Sequence, residues 1–117
     1  MLTDKEIRKI AVICHNLNNA FCKIIGEPQQ PEWGKLPSHI KLSAINGVKH
    51  IIENPSVTPE ESHDNWCRFK EYDGWKYGVK KDEKLKTHPN LVSYKELSPD
   101  QKFKDHLFRN NVLFFVK

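Results

Sequence analysis

Residues 58–79 read TPEESHDNWCRFKEYDGWKYGV, and the fold turns on the change of character inside that stretch. Thr58-Pro59-Glu60-Glu61 is a capping box with proline at the favoured first helical position. The threonine hydroxyl takes a free amide of the first turn while Glu61 reaches back to the cap's own N–H. The helix so launched is expected to run to about Tyr72 and to end at Asp73-Gly74. From there Trp75-Lys76-Tyr77-Gly78-Val79 is aromatic and β-branched, the composition of a short strand. Leu91-Val92-Ser93-Tyr94 reads as its partner, with the polar stretch 80–90 between them, too long for a tight hairpin turn.

Upstream, Thr3-Asp4-Lys5-Glu6 is another capping box. Behind it Ile7, Ile10, Ala11, Cys14, Leu17, Phe21, Ile24 and Ile25 recur at steps of three and four, the stripe of a long amphipathic helix ending at Gly26. Residues 27–37, EPQQPEWGKLP, carry three prolines and predict an extended loop. A second helix opens after Pro37-Ser38 with a face of Ile40, Ala44, Ile45, Val48, Ile51 and Ile52. It stops before Asn54-Pro55, because proline disfavours helical geometry in the residue before it. Gly47 in its middle is expected to allow a close crossing with the first helix. Downstream, Ser98-Pro99-Asp100-Gln101 caps a last helix running through Phe103, Leu107 and Phe108. The sum is an α+β fold, mainly α: about four helices with a small two-stranded β element before the last, forming a single domain over residues 1–117.

Composition narrows the classes of function. A chain of 117 residues with 38% hydrophobic and 29% charged side chains suffices for one core, and modest Gly and Pro content excludes collagen-like and strongly disordered chains. No apolar run approaches the roughly 18–20 residues that span a bilayer. Asp4 and Glu6 stand where a signal peptide would carry basic charge, and three cysteines do not build a disulfide framework, so a cytoplasmic protein is expected. The net charge of +4 favours an anionic partner.

Chemical motifs are sparse. His63 and Cys67 at i and i+4 have a spacing that can chelate, with Cys14 and Cys22 as further candidates. Yet C-x-x-C and H-E-x-x-H are both missing, and Cys14 lies on an apolar stripe where a thiol serves as a small hydrophobe, so no metal and no cofactor are expected. Phosphate-cradling glycine motifs are missing too. Glu60 and Glu61 lie in a helix's first turn, where carboxylates complement the dipole.

What stands out is the stretch 63–94. It interleaves His63, Trp66, Arg68, Lys70, Trp75, Tyr77, Lys80, Lys81, Lys84, Lys86, His88 and Tyr94. Aromatic faces stack on a flat ring while Lys and Arg meet phosphate. His63, Trp66 and Lys70 share one helix face at i, i+3 and i+7. The plain alternative is that the tryptophans are core, the tyrosines a cross-strand pair and the lysines a solvated rim. Long nucleic acid would call for a basic stripe over a wider surface, so it is not expected as a partner.

The same residues carry a family resemblance. Glu61-Ser62-His63-Asp64-Asn65-Trp66, Asp73-Gly74-Trp75-Lys76-Tyr77-Gly78 and Lys86-Thr87-His88-Pro89-Asn90-Leu91-Val92-Ser93-Tyr94 resemble, in order and spacing, the H-x-x-W, G-W-x-Y-G and H-P-x-L-V-x-Y signature of the ryanodine-receptor repeat, the RyR domain. The helices around Cys14-His15 and Ser43-Ala44-Ile45 are similar to single-copy bacterial and phage members, so the resemblance spans about Ile7 to Phe108. It implies a compact helical unit with a small β element. It also implies pairing, since the repeats of calcium-release channels come as tandem pseudo-twofold pairs. A free repeat is then expected to form a homodimer, with Val112–Val116 offering apolar surface unless that stretch docks into its own core.

The channel repeats hold adenine nucleotides, and the resemblance implies roles by position. Trp66 becomes the stacking platform, His63 a neighbouring polar contact, and Lys70 the phosphate cation, where other members often carry arginine with its fork-like geometry. Trp75 and Tyr77 would wall the pocket, and Lys86 and His88 would stand on its rim. Lys80-Lys81 departs from members that carry proline or valine there. Prokaryotic members are associated with nucleotide-signalling defence, which implies a sensor or a sponge for a small phosphorylated ligand, in a non-enzymatic protein. An interaction module that binds another protein and no small ligand is the rival expectation. An enzyme using His63 or His88 as acid or base lacks a paired catalytic group.

Overall fold

Both capping boxes form, and they set where two of the helices begin. Thr3 Oγ1 accepts from Glu6 N at 3.1 Å while Glu6 Oε1 accepts from Thr3 N at 2.9 Å, and Thr58 and Glu61 repeat the exchange at the same distances. The computed structural model describes residues 2–116. Among them four helices carry the architecture: α1 (Asp4–Ile25), α2 (Ser38–Glu53), α3 (Pro59–Tyr72) and α4 (Pro99–Phe115). Between α3 and α4 lie two short strands, β1 (Lys76–Tyr77) and β2 (Thr87–His88). The fold is mainly α with a little β.

The helices form one bundle in which α1 packs on α2 and α4, while α3 closes against α2 and α4. Its core is Ile7, Ile10, Ala11 and Cys14 of α1, Val48 and Ile51 of α2, Val57, and Val112 of α4. Val48, Ile51 and Val112 are wholly buried. Arg109 Nε donates to the Val57 carbonyl and ties α4 to the turn before α3. Val112 therefore docks the last helix into its own chain, with Leu113 and Val116 packed behind it, while Phe114 and Phe115 lie largely exposed.

Three expectations need correction. The partner of β1 is Thr87–His88, in parallel register with Lys76 opposite Thr87 and Tyr77 opposite His88, and residues 91–94 form no strand. Leu91 sinks into the interior instead, and the Val92 carbonyl turns towards α3, where His63 takes it. A parallel pair joined by nine residues is possible because Thr87 also bridges Asp82 in the connection, exchanging bonds of 3.0 and 3.1 Å. Gly78 makes room for this: a Cβ there would lie 2.5 Å from Thr87 Cβ.

Gly47 faces α4 rather than α1. A Cβ would meet the Phe108 ring at 3.1 Å, so the glycine allows α2 and α4 to approach. Along α1, Ile24 is 80% exposed while His15 and Cys22 are buried in its place. Over 22 residues the stripe drifts around the helix, and its second half faces the 27–33 segment and the start of α4.

Candidate functional site

α3 brings His63, Trp66 and Lys70 to one face, and that face opens on a cavity of about 280 Å³. His63 and Lys70 are only 3% and 6% exposed, and Trp66 is half-buried. Trp66 is held by two imidazoles: His63 stacks beside it at 5.7 Å between centroids, and His88 from β2 meets it edge-on at 5.0 Å. The opposite walls come from Ser43, Ala44 and Gly47 of α2, Asn18 of α1, and Gln101, Asp105 and Phe108 of α4.

Lys70 is the unusual group. Its ammonium lies 4.9 Å from the centre of the Trp75 ring and 3.4 Å from His39 Nδ1, and among the described residues no carboxylate oxygen comes within ion-pair distance. His39 passes the contact on, its Nε2 donating to Glu83 Oε1 at 2.6 Å. Burial, and after it the charge of Lys81, pull the Lys70 pKa below that of a free lysine. A buried cation without a counter-ion is costly unless something anionic meets it. Of the other lysines lining the cavity, Lys104 is already neutralised by Glu27 at 2.7 Å.

Two buried polar atoms on this wall have no hydrogen-bond partner among the described residues, the Trp75 indole Nε1 and Asp105 Oδ2. Burial raises Asp105 to about 7, against a weaker opposing pull from Lys104. His88 is pushed down to about 4, by burial first and then by Lys81, Lys70 and other neighbouring cations. His88 is therefore neutral near pH 7, with Asn90 N donating to its Nδ1 at 3.0 Å, which places the ring hydrogen on Nε2. The cavity thus combines a cation, a donor, an acceptor and aromatic surface.

A sequence model of the RyR domain matches residues 36–116, most of the chain. The chain belongs to the RyR domain family. No solved structure matches it. The matched span of this RyR domain takes in α2, α3, both strands and α4, while α1, which lies before it, still lends Cys14, His15 and Asn18 to the cavity wall.

Of the residues singled out in the sequence, the RyR domain gathers His63, Trp66, Lys70, Trp75 and His88 around one space. Tyr77 and Lys86 lie apart from it. Tyr77 is 56% exposed on β1. Lys86, at a left-handed φ of 54°, donates to the Asp73 carbonyl at 2.8 Å and pairs with that residue's carboxylate at 3.8 Å. Residues that motif reading missed are His39, Ser43, Gln101, Lys104 and Asp105. For the α4 members a signal did exist: Gln101 and Asp105 continue the face of Phe108 and Val112, so a buried stripe turns polar at one end.

Cys67, His63 and Asp105 line up in the order of nucleophile, base and orienting acid, with Sγ 3.3 Å from Nε2 and Oδ2 3.6 Å from Nδ1. The electronics run against such a use. The Val92 carbonyl, 2.8 Å away, claims the Nε2 hydrogen, so that nitrogen has no lone pair for the thiol. Burial, with added repulsion from Glu71 and Asp64, pushes Cys67 up to about 12. Cys14 is likewise raised by burial, to about 11, and takes a hydrogen bond from Asn111 at 3.1 Å. Among the described residues no group of three or more His, Cys, Asp or Glu is placed to hold a metal ion. No helix among them is long and apolar enough to cross a membrane.

Proposed function

We propose that this RyR domain is a non-enzymatic binding protein for an adenine-type nucleotide or a nucleotide-derived messenger, acting as a sensor or a sponge. The observation that carries the reading is Lys70, a buried ammonium with no carboxylate in ion-pair reach among the described residues, on the wall that also holds Trp66 and Trp75. Phosphate supplies the missing counter-charge, and exposed Lys81 at the same wall adds to the attraction. A base lies against the free surface of Trp66, whose orientation His63 and His88 fix. The volume, about 280 Å³, is at the small end of the range for small-molecule sites and suits one nucleotide unit. A homodimer, in which a second copy lengthens the site, accommodates a larger messenger.

Thermal melting with a panel of mono-, di- and cyclic nucleotides tests this on the wild type and on Trp66→Ala. A member of the panel at millimolar concentration raises the wild-type melting temperature by a degree or more, and Trp66→Ala loses that rise. A panel without effect on the wild type removes the ligand reading and leaves the protein-interaction module. That second reading draws on Tyr77, Val79 and Leu85, which are 56%, 81% and 68% exposed on β1 and the connection after it. Recovery of intact nucleotide after incubation and heat release separates binding from turnover.

A further inference from the structure

Asp105 is a part-buried carboxyl group with one oxygen left unsatisfied. It sits on α4 in the cavity wall, with Oδ2 sealed from solvent and without a hydrogen-bond partner. His63 Nδ1, at 3.6 Å, is the nearest ring nitrogen and lies beyond good hydrogen-bond range. Lys104, its neighbour along the helix, is turned to Glu27 at 2.7 Å.

The His63 tautomer decides what Asp105 can offer. Because Nε2–H is given to the Val92 carbonyl at 2.8 Å, Nδ1 carries a lone pair unless the ring is doubly protonated. Oδ2 faces that nitrogen across 3.6 Å. Oδ1 is the oxygen left to accept from the cavity. The Asp105 side chain keeps 22% exposure while Oδ2 is sealed, so the accessible part is the remainder of the side chain, Oδ1 included.

We propose that Asp105 reads the ligand's base, its Oδ1 accepting an N–H from an exocyclic amino group. This rests on the nucleotide reading above and adds a selectivity to it. Lys70 and Asp105 divide the work between them, since a cation attracts any phosphate while a part-buried acceptor disfavours a base edge with no N–H to give. An acceptor left unpaired in a dry wall discriminates more strongly than a hydrophobic surface does.

Titration calorimetry with AMP and with the otherwise identical purine ribotide lacking the amino group tests the assignment. Wild type should prefer AMP by about tenfold or more, the worth of one well-placed buried hydrogen bond. Asp105→Leu should bring the two affinities within about twofold of each other, while Asp105→Asn, which keeps an acceptor oxygen, should restore part of the preference. Should Asp105→Leu fail to fold, Asp105→Ser, too short to reach the base, takes its place with the same expectation. Wild type that binds both ribotides equally, or a Leu or Ser variant that keeps the full preference, overturns the role of Asp105 and leaves nucleotide binding standing. Wild type that binds neither overturns this assignment, while the nucleotide panel above decides the wider reading.

Discussion

Asp105 and His88 face the same cavity, and burial drives their proton affinities in opposite directions. The folded protein holds the Asp105 proton up to about pH 7, whereas the unfolded chain releases it near 3.8. That contribution to stability is complete below 3.8 and is lost as pH rises through about 7. His88 behaves inversely, its folded value of about 4 lying below the ordinary 6.5, so its contribution is present above 6.5 and is lost as pH falls through about 4. Between about pH 4 and 6.5 the two slopes oppose each other. Asp105→Asn should therefore gain stability relative to wild type as pH rises across that window, and His88→Gln should lose it. Melting curves at stepped pH decide the point, since parallel profiles for all three proteins would contradict opposed titrations. His63, Trp66 and Lys70 were legible in the sequence because i, i+3 and i+7 on one helix is a local relation. Asp105 and His39 were not, because their meaning comes from groups 42 and 31 positions away, His63 and Lys70.

Helix boundaries follow from short-range chemistry, and here the chain was read closely. The caps at Thr3, Thr58 and Ser98 and the stops at Gly26, Asn54 and Asp73 stand where the sequence places them. Thr58→Ala removes the acceptor for Glu61 N and should cost about 1 kcal/mol in urea unfolding, with an unchanged denaturant slope. The packing of those helices was less legible. Gly47 signals a close approach but not to which helix, and the answer, Phe108 of α4, came only with the bundle. Gly47→Leu drives a side chain into that ring and should cost about 1–3 kcal/mol, measured in the same unfolding experiment. Because Gly47 and Phe108 both line the cavity, the variant should also lose any nucleotide-dependent rise in melting temperature. The strand partner was misplaced for a related reason. Leu91-Val92-Ser93-Tyr94 satisfies a strand pattern, yet Leu91 is drawn into the interior and the Thr87–His88 pair makes the ladder. Composition cannot tell a strand from a buried connection of the same character.

At the level of the whole molecule, assembly is the open dimension of the proposal. A homodimer predicts a light-scattering mass near twice 13.7 kDa at high concentration. Phe115→Glu, on the exposed end of α4, should return the protein to the single-chain mass. A wild-type monomer would confine the site to the cavity of one chain. The sequence by itself determined the inventory: four helices, three of them opened by a capping side chain, a small β element before the last, one family signature, and a helix face carrying imidazole, indole and ammonium. Each of those depends on neighbours within a few positions, where backbone geometry dictates contact. Only the tertiary structure decided that Lys70 is enclosed with no carboxylate in ion-pair reach among the described residues, that Asp105 stands against His63, and that Lys86 turns to Asp73 instead of the cavity. Desolvation and charge pairing are set by which elements meet, and no local pattern along the chain records that meeting.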